Sequence, residues 1–122
     1  MVPSKSLDWI GDSRARFCEF PRPVTKEMGY ALYLAQAGDK SPSAKPLKGF
    51  GGASVLEVVE DYDGDTYRAV YTVRFAGRVY VLHAFQKKAK HGIKTPQHEI
   101  DLIKSRLKRA EEDYEALQRK TL

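Results

Sequence analysis

The chain has 122 residues, 42% of them hydrophobic and 30% charged, with a net charge of +5; that length suits one domain spanning 1–122, and that composition excludes wholesale disorder. Cys18 is the only cysteine, which excludes an internal disulfide and a zinc site built on several thiolates. No stretch approaches the ~18 apolar residues of a membrane span and Met1–Ile10 has no apolar core of signal-peptide length, so a cytoplasmic protein without a membrane partner is expected.

Leu7 to Ile10 reads as a short strand. Asp12 or Ser13 is placed to cap a short helix that ends at the Phe20-Pro21 boundary, because the residue before a proline is pushed out of the helical region. Val24, Met28, Ala31, Leu32 and Ala35 then recur at helical spacing from Pro23 onward, with Gly38 where a C-terminal cap glycine belongs. Asp39 to Pro46 is polar and proline-flanked and reads as a surface loop.

The period changes in the middle of the chain. Ser54–Glu60, Thr66–Phe75 and Arg78–Phe85 are rich in Val, Tyr and Phe and are separated by Asp63-Gly64 and Ala76-Gly77, which predicts a three-stranded antiparallel meander. In the second strand, alternation puts Tyr67, Ala69, Tyr71, Val73 and Phe75 on one face and Arg68, Val70, Thr72 and Arg74 on a more polar one. In the third, Val79, Val81, His83 and Phe85 share a face by the same rule. Thr95 suits a helix N-cap with Pro96 at the first helical position, and Ile100, Ile103, Leu107, Ala110, Tyr114 and Leu117 form the apolar stripe of a long amphipathic helix. The order β-α-α-β-β-β-α predicts an α+β domain: a small, mostly antiparallel sheet with helices packed on it.

Charge is distributed unevenly. Residues 1–61 balance theirs, whereas Thr66 to His98 carries Arg68, Arg74, Arg78, Lys87, Lys88, Lys90 and Lys94 without one Asp or Glu. Such a block fits a phosphate-rich partner, and a solvated basic face is the plainer alternative. Several chemistries lack their motifs: there is no Walker loop, no dinucleotide fingerprint, and no Ser or Cys nucleophile in a known setting. Asp61, Asp63 and Asp65 superficially suggest a calcium loop, but the later glutamate is missing and a hairpin turn fits better, so no metal and no cofactor are expected.

Four short motifs carry a resemblance. They are Lys45-Pro-Leu-Lys-Gly49, Tyr67-Arg68-Ala-Val-Tyr71, Val81-Leu-His-Ala-Phe-Gln-Lys-Lys88 and Lys94-Thr-Pro96. In this order and spacing, over roughly Lys45 to Leu107, the chain resembles the phage-derived HigB-like branch of the RelE/ParE toxin superfamily. The resemblance implies a RelE-like fold and the toxin of a type II toxin–antitoxin system. The implied activity is a ribosome-dependent mRNA endonuclease (an mRNA interferase) that uses the RNA 2′-hydroxyl as nucleophile, with a cognate helix-turn-helix antitoxin as partner. ParE-like members of the superfamily are instead non-enzymatic gyrase inhibitors, and an inactive phage-derived relic that still binds RNA or antitoxin is a third reading. One departure bears on these: Glu57 is followed by Val58 and Val59, where relatives commonly carry an Arg.

The protein in such a reaction moves protons and stabilises charge. Arg68 offers paired donors to a scissile phosphate and is the expected clamp, against the plainer reading of a surface strand arginine. Lys87 and Lys88 follow a strand end, and one of them could stabilise the leaving oxygen. His83 titrates near neutrality but lies in an apolar strand, so acid–base catalyst and hydrogen-bonded core residue are both open. The expected RNA contacts are Lys45, Lys48, Gln86, Lys90 and Lys94, with Phe85 either stacking on a base or belonging to the core. His91 and His98 flank the basic segment.

Overall fold

The computed structural model of the protein describes residues 4–87 and 95–120. Strand β1 (Ser6–Trp9) is followed by helices α1 (Ser13–Cys18) and α2 (Arg22–Gln36), strands β2 (Ala44–Pro46), β3 (Val55–Tyr62), β4 (Asp65–Thr72) and β5 (Arg78–Lys87), and helix α3 (Gln97–Lys120). The α+β class holds, with one strand more than expected. The polar run from Asp39, loop by its sequence, contains β2, which is three residues long and proline-ended, too short to show alternation; it is nonetheless paired antiparallel through Lys45↔Glu57.

The sheet order is β1-β5-β4-β3-β2, with β1 parallel to β5 and every other pair antiparallel. The β3–β4 hairpin closes through Asp63 and Gly64 at φ 51° and 85°, a two-residue turn whose positive dihedrals match the strand twist. The acidic triplet is thus a hairpin tip, as its spacing suggested. At the other edge Arg78 pairs with Asp8 at 2.8 Å, tying β1 to β5.

Two cores lie on opposite faces. Helix α2 buries Val24, Met28, Ala31, Leu32 and Ala35, the five residues of its predicted stripe, against Leu56, Val58, Tyr67, Ala69, Tyr71, Val79 and Val81. Each large side chain removed from water in this way contributes about 1.5–3 kcal/mol. Gly38 closes the helix, its N–H donating to the Ala35 carbonyl at 3.0 Å. Helix α3 covers the other face with Ile103 and Ala110, joined by Ile100, Leu107 and Tyr114, over Val55, Val70, Tyr80, Leu82 and Phe85.

Three expectations about facing need correction. Strand β4 ends at Thr72, whose hydroxyl accepts the Arg74 N–H; beyond it the chain turns, and Phe75 packs with Tyr80 and Tyr114 on the α3 side, away from Tyr67, Ala69 and Tyr71. In β5, Val70 pairs with His83 but the next residue, Tyr71, pairs with Val81, so Leu82 is an extra residue in a bulge. Alternation therefore breaks at Leu82: Val79 and Val81 face α2, whereas His83 and Phe85 join Leu82 on the α3 side. Finally, the face of Arg68 is no open polar surface, because α3 lies across it, and Arg68 is 5% exposed.

Asp12, expected as a helix cap, makes no capping bond. Its carboxylate instead binds Arg16 at 3.1 Å and Arg106 of α3 at 2.6 Å. Those two guanidinium hydrogen bonds hold it well below the usual carboxylate range, at about 2.

Candidate functional site

Residues 57, 68 and 87 lie on adjacent strands and face α3. Arg68 Nη1 donates to Glu57 Oε2 at 3.0 Å and to the Thr95 hydroxyl at 3.2 Å, so one guanidinium joins β4, β3 and the segment entering α3. Both side chains of the ion pair are largely sequestered, 6% exposed for Arg68 and 17% for Glu57. A charge in such a place needs its partner, since removing one member of a buried pair costs about 3–5 kcal/mol. Lys87, opposite Thr66 on β5, feels both charges. Its pKa is lowered from the ordinary lysine value, first by burial and then by Arg68, with Glu57 opposing.

Beside this trio runs a cleft of about 670 Å³ between the β2 arm and α3, whose lining includes Lys45, Lys48, Glu57, Thr95, Gln97 and Lys104. Lys45 and Lys48 are exposed and belong to the same groove as Glu57. The arrangement offers several cations and one carboxylate to a bound phosphodiester. Among the described residues, no group of three or more His, Cys, Asp or Glu side chains is placed to hold a metal ion.

His83 sits apart from this cleft in a buried relay. Arg106, a donor only, is 3.2 Å from His83 Nδ1, so that nitrogen must accept; Nε2 then carries the hydrogen and donates to Glu99 Oε1 at 3.1 Å. Burial chiefly, with the Arg106 charge in support, lowers the His83 pKa. Both ring nitrogens are engaged, and the ring is 2% exposed and stacked on Phe85 at 4.9 Å. Of the two readings left open for His83, the geometry is that of a core histidine.

Two expected RNA contacts are placed elsewhere. Phe85 is 5% exposed and belongs to the α3-side core, so it presents no face for stacking. Gln86 pairs with Tyr67 on the opposite face of the sheet, where its amide donates to Asp65 at 2.9 Å; strand alternation separates it from Phe85 and Lys87. Lys88, Lys90, His91 and Lys94 lie outside the described residues. His98 is largely exposed, 3.8 Å from Glu99.

Glu57, Thr95, Gln97 and Lys104 were not singled out as site residues in the sequence. Gln97, Ile100 and Lys104 recur at spacings of three and four, which does signal one helix edge; Glu57 marks a motif position in the sequence, but its place beside Arg68 comes only from the pairing of β3 with β4.

The family model described as phage derived protein Gp49-like (DUF891) matches residues 15–108. The chain belongs to the Gp49-like family. The match contains the stretch, roughly Lys45 to Leu107, over which the four motifs carry their resemblance, and like them it points to a phage-derived family. Among solved structures, this Gp49-like chain is similar to a chain in the crystal structure of the toxin–antitoxin complex RelBE2 from Mycobacterium tuberculosis, at 17% identity, covering 73% of this chain and 97% of that one with a TM-score of 0.46. No curated protein matches it. No described helix of the Gp49-like domain is long and apolar enough to cross a membrane.

Proposed function

We propose that the chain is the toxin of a type II toxin–antitoxin pair and acts as a metal-independent endoribonuclease on messenger RNA at the ribosome, with a helix-turn-helix antitoxin as its cognate partner. The observation that supports this reading is the Arg68–Glu57 ion pair set beside a lysine-lined cleft, with Lys87 close to both charges.

In this reading Lys45, Lys48 and Lys104 hold the RNA backbone by neutralising phosphates, a sequence-blind contribution. A phosphate entering the cleft competes with Glu57 for the Arg68 guanidinium. Arg68 then stabilises the charge that builds on the phosphoryl oxygens. Glu57, released, takes the proton of the 2′-hydroxyl. The 2′-oxygen bonds to phosphorus, the bond from phosphorus to the 5′-oxygen breaks, and Lys87 gives that oxygen a proton. The products are a 2′,3′-cyclic phosphate and a 5′-hydroxyl. A lysine whose pKa is lowered is a better proton donor than an ordinary one, which suits Lys87 to that step. His83 takes no part in proton transfer, both of its nitrogens being engaged. Val59 stands opposite Arg68 in the β3–β4 pairing, so Arg68 has an apolar neighbour where relatives commonly carry a cation.

Primer extension on a translated mRNA with purified ribosomes tests the reading. Wild-type protein should give ribosome-dependent cuts, Arg68→Ala none, and Glu57→Gln and Lys87→Ala each at least about 100-fold fewer, the usual size of a proton-transfer contribution. Circular dichroism establishes that each variant is folded. Absence of wild-type cleavage under every condition sinks the enzyme reading, and concurrent inhibition of DNA gyrase supercoiling would replace it with the ParE-like one.

A further inference from the structure

The face of the sheet away from the basic cleft has a second cavity that the proposed nuclease does not use. It measures about 390 Å³, is open at one side, and lies between the end of α2, the start of β1 and the strands β3 and β4. That volume is within the range of small-ligand sites. Its walls are apolar, including Ala35, Pro46, Leu56 and Val73, and Lys5, Asp39 and Lys40 are the charged side chains that line it.

Tyr71 contributes to the same cavity. The side chain is completely buried, and its hydroxyl has no hydrogen-bond partner among the described residues. Burial alone pushes that hydroxyl up to about 12, so it is a neutral group able both to donate and to accept. A buried hydroxyl left unpaired is costly, and tyrosine normally satisfies its oxygen when it enters a core. A phenylalanine would fill the same space without that cost. The tyrosine is explained if something entering the cavity supplies the partner.

We propose that this cavity is a binding site for a small amphipathic anion: an apolar ring or branched body lying against Leu56 and Val73, a hydrogen-bonding atom meeting the Tyr71 hydroxyl, and a carboxylate or phosphate held at the lysines. Two lysines against one aspartate favour an anion there, and the Asp39 carboxylate is already engaged by the Lys40 backbone N–H at 2.8 Å. Leu56 and Tyr71, which pair across the strands, are sequence neighbours of Glu57 and Val70 on the opposite face. The two sites therefore share strands, and Pro46 borders both, but the side chains given a role in one are not those given a role in the other. The proposal is independent of the nuclease reading.

The test uses the full chain and a panel of phenylacetate, 4-hydroxyphenylacetate and indole-3-acetate, each with its neutral amide, followed by amide NMR shifts of Gly38, Ala53 and Val73. Saturable shifts at millimolar concentration are expected for at least one acid. Tyr71→Phe should weaken that acid tenfold or more while raising the thermal midpoint of the ligand-free protein, a combination that a merely structural tyrosine would not give. A Lys5→Gln, Lys40→Gln double variant should weaken the acid and leave its amide unchanged. Absence of saturable binding across the panel overturns the proposal and leaves water as the partner of the hydroxyl. Binding that is indifferent to both variants overturns it equally. Ribosome-dependent cleavage, measured in parallel, reports on the other site and should persist in both variants.

Discussion

Arg106 donates an N–H toward Nδ1 of His83, and this contact fixes the imidazole as the neutral Nε2–H tautomer that Glu99 accepts. The consequence is a pH dependence of stability. The folded-state pKa of His83 lies below 6.5, chiefly through burial. Between 6.5 and that lowered value the unfolded chain binds a proton that the folded chain refuses, so stability is complete above 6.5 and falls as the pH drops through this window. Asp12, lowered from 3.8 to about 2, adds a second loss below 3.8. Urea midpoints measured from pH 7.5 to 3 should therefore fall in two stages. His83→Gln should flatten the first stage and Asp12→Asn the second; a single stage unaffected by His83→Gln would contradict the assigned tautomer.

Arg106 also binds the Leu82 carbonyl at 3.1 Å and the Asp12 carboxylate. Arg106→Met keeps most of the volume but leaves the carbonyl and the imidazole nitrogen unpaired, at about 1–3 kcal/mol each. Denaturant unfolding should show a loss of at least about 2 kcal/mol by that reasoning. Gly11 is part of the same contact. At φ 59° it already disfavours other residues, and a Cβ there would lie 2.9 Å from the Arg106 Cζ. Gly11→Ala should destabilise as well, and combined with Arg106→Met it should cost less than the sum of the two, because the clash is then gone.

Thr95 gives Arg68 a neutral acceptor in addition to the Glu57 carboxylate. Thr95→Val removes the hydroxyl and keeps the ion pair, so about 1 kcal/mol of stability is at stake. Ribosome-dependent cleavage should fall by less than tenfold, against complete loss in Arg68→Ala. Equal losses in the two would mean that Thr95 touches the RNA itself.

Lys45, Lys48 and Lys104 line one cleft, whereas Lys26 lies exposed on α2, on the other side of the sheet. In anisotropy titrations with a single-stranded RNA over a range of salt, each cleft lysine changed to Ala should reduce the slope of log affinity against log salt by about 0.7, and Lys26→Ala should leave it unchanged. Identical slopes for all four variants would remove the cleft from the binding surface.

Much of the framework was legible because its signals are local. The stripe from Val24 to Ala35, the Asp63-Gly64 turn and the apolar run from Ile100 onward each declare an element within a few residues. Strand β2 escaped because its pairing with β3 is tertiary and its own three residues hold no period. The site was half legible. Arg68, Lys45, Lys48 and Lys87 stand out by charge, but the partner that makes Arg68 chemically interesting, Glu57, is eleven residues away across a hairpin, and no periodicity connects them. His83 and Phe85 were set on the wrong face for a different reason. Alternation is a rule about unbroken pairing, and a bulge in the partner register is invisible along a single strand.

That bulge gives β5 two phases. Up to Val81 the odd-numbered side chains belong to the α2 core; after Leu82 they belong to the layer that holds Arg68 and the histidine relay. The extra residue is thus a phase slip that lets the odd-numbered positions of one strand serve as packing before it and as carriers of His83 and Lys87 after it, without placing either group among the hydrophobic side chains beneath α2. Were Leu82 to take a regular place in the ladder instead, His83, Phe85 and Lys87 would together face α2; were it deleted, they would keep the α3 side with no bulge at all. Which layer owns the chemistry of this strand is set by a residue count, and no substitution at a single side chain could reproduce it.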